Sequence, residues 1–154
     1  MCGRRGGRTV LTGRTYVRYH GAMVQAQLGY VADGLGQGVA YARLMTRAGE
    51  RLVRVAFRVQ RFEGLGGREV GYAALTAIAT MLRERGLERA SFGLADNELI
   101  ADCHDRRDVP PPLVLPYVRL RCALNRFAAY ALCAGGDRDL EARARAELVL
   151  HSAA

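Results

Sequence analysis

The sequence contains no lysine. All 23 basic residues are arginine, set against 15 acids, for a formal net charge of +8. Arginine offers a planar fork that pairs with phosphate in bidentate fashion, so a polyanionic partner suits the chain. No apolar run approaches the roughly 18 residues that a membrane span requires, so no membrane partner is expected. The start, MCGRRGGRTVLTGR, has arginines but no apolar h-region, which argues against a secretory leader and for a cytoplasmic protein. The four cysteines, Cys2, Cys103, Cys122 and Cys133, form no CxxC pair, and Cys103-His104 is the one close Cys/His pair. That is too sparse for zinc. There is no GxGxxG followed by an acid and no P-loop, so DGLGQG and EGLGG read as turns.

What is present is ordinary globular material: 154 residues, half of them hydrophobic and a quarter charged. This is one domain's worth of chain, without internal repeats. Arg4, Arg5, Arg8, Arg14 and Arg18 all precede the first acid, Asp33. Residues 1–14 therefore read as a basic, disordered tail, and residues 15–154 as the domain.

Residues 15–23, TYVRYHGAM, alternate and are rich in Tyr and Val, which predicts a strand. LGYVADGLGQG is ambiguous and reads as a strand extension followed by a Gly-rich turn. Residues 39–60 predict a hairpin around Arg47-Ala48-Gly49-Glu50, with Val53, Val55, Phe57 and Val59 alternating with arginines. REVGYAALTAIATMLRERGL predicts a helix with Ala74, Ile78, Met81 and Leu82 on one face and Gly86 beyond its end. RASFGLA predicts a strand and NELIADCHD a short helix, which the run Pro110-Pro111-Pro112 ends. YVRLRCALNRF predicts a helix, AAYALC a strand and the last segment a helix. The order is β, β, β, α, β, α, α, β, α: an α/β fold with a five-stranded mixed sheet, its first three strands antiparallel, and helices on both faces.

This order resembles the ribonuclease H-like superfamily, in the short, plant-type form related to ribonuclease HI. ADNELIADC is similar to the family's fourth-strand Asp-Ser/Asn motif. DRDLEARARA resembles its last-helix motif, with Glu141 at the acid position. GYAALTAIATMLRERGLERA resembles its first helix. The resemblance implies an RNA–DNA hybrid endonuclease. Four clustered carboxylates would hold two Mg²⁺ or Mn²⁺ ions, which activate water and stabilise the leaving oxygen. It also implies RNA–DNA hybrid or structured RNA as partner.

On that resemblance Asp96 and Glu141 are the candidate metal ligands. Asp96 equally suits a helix N-cap, and Glu141 an i, i+4 pair with Arg145. Two positions depart from the pattern. The first-strand acid falls on His20, and the first-helix acid on Gly71, so both ligands are expected to be lost. A second register offers Asp33 and Glu69 instead, although Asp33-Gly34 is a good turn dipeptide and Glu69 suits a helix first turn. Three functions follow. The chain is a metal-dependent ribonuclease H, a catalytically inactive nucleic-acid-binding relative with a degenerate site, or a protein-interaction module exposing apolar surface near VPPPLVLPY.

Overall fold

A computed structural model describes residues 8–12, 15–19, 23–105 and 108–153. Seven strands form one sheet in the order β2-β1-β7-β6-β3-β4-β5. They are β1 (Arg8–Thr12), β2 (Thr15–Tyr19), β3 (Val24–Ala32), β4 (Gln37–Thr46), β5 (Gly49–Arg58), β6 (Arg89–Leu94) and β7 (Ala129–Ala134). The helices are α1 (Arg68–Glu84), α2 (Asn97–Asp105), α3 (Val114–Leu124) and α4 (Arg138–Ser152), with a 3₁₀ turn at Pro111–Leu113 before α3.

The five strands β3 to β7 form the expected mixed sheet. β3, β4 and β5 are an antiparallel meander, with Gly29 opposite Tyr41 and Gly38 opposite Phe57. β6 runs parallel to β3 and β7 runs parallel to β6. Alternation of side chains divides the sheet into two faces. Ala26, Leu28, Ala42, Val53, Phe92 and Leu132 join the core under α1 and α3. Val39 and Tyr41 face the other way, against Leu140 and Ala144 of α4.

Two expectations at the amino-terminal end are corrected. Residues 15–23 are not the first strand of the meander. Thr15–Tyr19 pairs with Arg8–Thr12 as an edge hairpin, and β1 meets β7 on the far side of the sheet, Leu11 opposite Tyr130. The first central strand is Val24–Ala32, which stands in an interior place with β4 on one side and β6 on the other. Only Gln25 and Gln27 alternate with its apolar residues, and the second half, Leu28 to Ala32, has no polar partner positions, so its pattern is shorter than that of the Tyr/Val-rich edge strand. Arg8–Thr12, placed in the basic tail by its charge, is a strand; Thr9-Val10-Leu11-Thr12 is a β-prone run whose partner follows at once. Residues 1–7 of that tail and His20 lie outside the described residues.

Candidate functional site

A cleft of about 1020 Å³ opens where β3, β6 and β7 meet the starts of α1, α2 and α4. Open α/β sheets commonly bind ligands at such strand ends. Asp96 reaches it because β6 ends at Leu94 and α2 begins at Asn97. One Asp96 oxygen, Oδ1, accepts the backbone N–H of Leu99 at 3.0 Å, so the residue is the N-cap of α2. Asp96 also stands at the cleft wall, so capping and site position coincide.

Glu141 reaches the same cleft from the first turn of α4. This helix starts hard against β3. A Cβ at Gly29 would lie 2.3 Å from the Glu141 backbone nitrogen and 2.7 Å from the Asp137 carbonyl oxygen. Asp137 N-caps the helix, accepting from the N–H groups of Asp139 and Leu140 at 3.0 Å each, and receives Arg43 Nε at 2.8 Å. Burial opposes its ionisation, but Arg43 and these N–H groups hold its carboxyl below the usual carboxylate range. Glu141 Oε1 accepts from Arg145 Nη2 at 2.7 Å, the expected i, i+4 pair.

Gly71 faces Asp96. A Cβ there would lie 2.9 Å from Tyr30 Oη, 3.1 Å from Leu99 Cδ1 and 3.2 Å from Asp96 Oδ2. Tyr30 of β3 therefore fills the space in front of α1, with its hydroxyl beside Asp96. Burial pushes the Tyr30 pKa upward, and the charges of Asp96 and Glu141 push it further. Near neutral pH it is a neutral hydroxyl between two carboxylates.

Asp33 and Glu69 lie elsewhere. Asp33 closes the β3–β4 turn, its Oδ1 accepting from the N–H groups of Leu35 and Gln37 at 2.9 Å each. This is an Asx-type turn. Glu69 is 1% exposed and lines a separate groove with Phe62 and Tyr72. Its Oε1 accepts from Arg61 Nε at 3.1 Å, and the same arginine donates to the carbonyls of Ala32 and Asp33. The roughly 200° between positions two apart on a helix separates Glu69 from Gly71. Among the described residues, no group of three or more His, Cys, Asp or Glu side chains is placed to hold a metal ion.

Sequence reasoning missed Tyr30, because it took LGYVADGLGQG for an extension of the preceding strand followed by a Gly-rich turn. The turn at Asp33-Gly34, with apolar runs on both sides, was the signal for a central hairpin. It also missed Arg138, which lines the cleft at the start of α4. Arg68, on another wall, is committed elsewhere: it donates to the buried Asp102 at 2.9 Å, which also accepts from Tyr72 Oη at 2.7 Å.

No protein-family model matches the sequence, and no curated protein matches it. Solved structures do. Ribonuclease H1 of the halophilic archaeon Halobacterium salinarum is 19% identical, with a TM-score of 0.59 over 80% of this chain and 92% of that one. The N-terminal ribonuclease H domain of Rv2228c from Mycobacterium tuberculosis is 16% identical, with a TM-score of 0.61 over 86% of this chain and all of that one. LC11-RNase H1, solved in complex with an RNA/DNA hybrid, is 10% identical, with a TM-score of 0.55 over 80% of this chain and 91% of that one. The meander, the two parallel strands and the flanking helices of this chain are a ribonuclease H-like fold.

Proposed function

We propose that this chain is a ribonuclease H-like nucleic-acid-binding domain whose cleft does not run two-metal hydrolysis. The observation that carries the reading is the packing at Gly71. The side chain that faces it from the first central strand is Tyr30, and neither residue can supply a carboxylate. A two-ion site needs convergent acids. Here Asp96 has one oxygen on the Leu99 N–H, Glu141 is paired with Arg145, Glu69 is held by Arg61, and Asp33 closes a turn. This donor set does not fit two hard divalent ions, so no catalytic step is assigned to Mg²⁺ or Mn²⁺.

Binding needs less. Arg138 lines the cleft beside the ion-paired Arg61 and Arg145, and the whole chain carries +8. Arginine forks at such a surface would hold phosphates of an RNA–DNA hybrid or a structured RNA. The hybrid-bound relative has the same fold and supports that choice of ligand. Gly71 and Tyr30 add no negative charge beside Asp96, which favours binding a polyanion.

The test is fluorescence anisotropy of a labelled hybrid. Binding should weaken steeply between about 50 and about 200 mM salt. Arg138→Ala should weaken it and lower the salt slope by about one. A salt-independent signal, or none at low salt, would overturn the reading.

A further inference from the structure

The surface away from the cleft carries a second feature. α3 packs on α1 through Leu120, Ala123 and Leu124, all buried. Its outer face is apolar as well: Val114, Leu115 and Val118 are 49%, 57% and 48% exposed. Solvent-facing helix positions are normally polar. Leu115 also walls a groove of about 320 Å³ between α1, α3 and the end of β5, together with Phe57, Phe62 and Pro116. Leu115 joins groove and helix face into one apolar strip over the first turns of α3, from Val114 to Val118.

Charge indicates what covers it. Arg58 and Arg119 line the groove, and neither guanidinium makes a hydrogen bond or ion pair among the described residues. A second copy would bring the same two cations and another +8 onto the strip, and like charges repel. We infer that the α3 face and its groove bind a partner protein through an amphipathic helix whose apolar stripe is bordered by acidic residues. Apolar anchors at i, i+3, i+4 and i+7 would lie along Val114, Leu115 and Val118 and into the groove, and their acidic border would meet Arg58 and Arg119. None of these residues lines the cleft, so this face and the nucleic-acid reading stand or fall separately.

The probe is a synthetic helical peptide with leucine anchors and glutamate borders, titrated into the isotope-labelled full chain. A second peptide carries lysine in place of glutamate. The glutamate peptide should bind, with shifts centred on Phe62, Leu115 and Arg119, and Leu115→Asp should weaken it at least about tenfold. Arg119→Glu should lose the glutamate peptide and gain the lysine one, a reversal that a folding defect cannot produce. Equal binding of both peptides to the unaltered chain, or no shift at millimolar peptide, would overturn the inference. So would sedimentation of the chain as a dimer with these residues protected, which would make a second copy the occupant.

Discussion

At the residue scale, the cleft turns on the pair Tyr30 and Gly71. A methyl at 71 gains helix propensity, about 1 kcal/mol over Gly, but meets the Tyr30 hydroxyl at 2.9 Å. Overpacking of that kind costs about 1–3 kcal/mol. Gly71→Ala alone should therefore be neutral or destabilising, and it should cost less on Tyr30→Phe, where only Leu99 Cδ1 and Asp96 Oδ2 still crowd the methyl at 3.1 and 3.2 Å. Urea unfolding of the four proteins should give a coupling of about 1 kcal/mol; strict additivity would show that the hydroxyl does not fill that space. Asp96 makes a separate contribution. Asp96→Ala removes the α2 cap and should cost about 1 kcal/mol, whereas Asp96→Asn keeps an N-cap acceptor and should cost little. Equal losses in thermal unfolding would mean that the Leu99 hydrogen bond is not what Asp96 contributes.

At the element scale, α4 is fixed to the sheet by contact and by charge. Gly29→Ala would drive a Cβ into the backbone of α4 and should destabilise by about 2–3 kcal/mol, through displacement of the helix start. Farther along α4, Glu147 accepts from Arg54, and from Tyr41 Oη at 2.5 Å. Arg54 above all holds the Glu147 carboxyl down from its ordinary 4.5 to about 2. A carboxyl acidified by folding contributes stability that is complete above 4.5 and lost as pH falls toward 2. Chemical denaturation from pH 5 to about 2 should show that loss, and Glu147→Gln should flatten it; an unchanged slope would assign the acid sensitivity to other groups. Most elements of the fold were legible in the sequence. α1 carries its apolar face at helical spacing and ends at Gly86, whose φ of 87° suits glycine. The β4–β5 hairpin has strict alternation around a glycine turn. The first central strand was not legible as such, because its alternation covers only Val24 to Leu28 and its second half runs into the Gly-rich turn. A Tyr/Val-rich edge strand carried the stronger signal and drew the first-strand assignment to residues 15–23.

At the scale of the whole molecule, that one misplaced strand decided how much of the site could be read. Asp96 and Glu141 were legible because both sit at element boundaries with local signatures, a cap and a first helical turn. Gly71 was legible by its place in α1, and the structure sets it facing Asp96. Tyr30 was not, since its role depends on contact between β3 and α1, which no local pattern encodes. Asp33 and Glu69 looked available by distance along the chain, but a turn and a buried ion pair claim them. Two faces are proposed as functional: the cleft at the strand ends and the apolar strip on α3. No helix among the described residues is long and apolar enough to cross a membrane. The central claim is that the cleft binds nucleic acid without hydrolysing it. The most direct measurement is a time course of a labelled RNA–DNA hybrid with purified chain, in Mg²⁺ and in Mn²⁺, beside the Asp96→Asn variant. The expected result is an intact hybrid with either metal, at protein concentrations that bind it. Metal-dependent cleavage by the unaltered chain, lost in Asp96→Asn, would contradict the account.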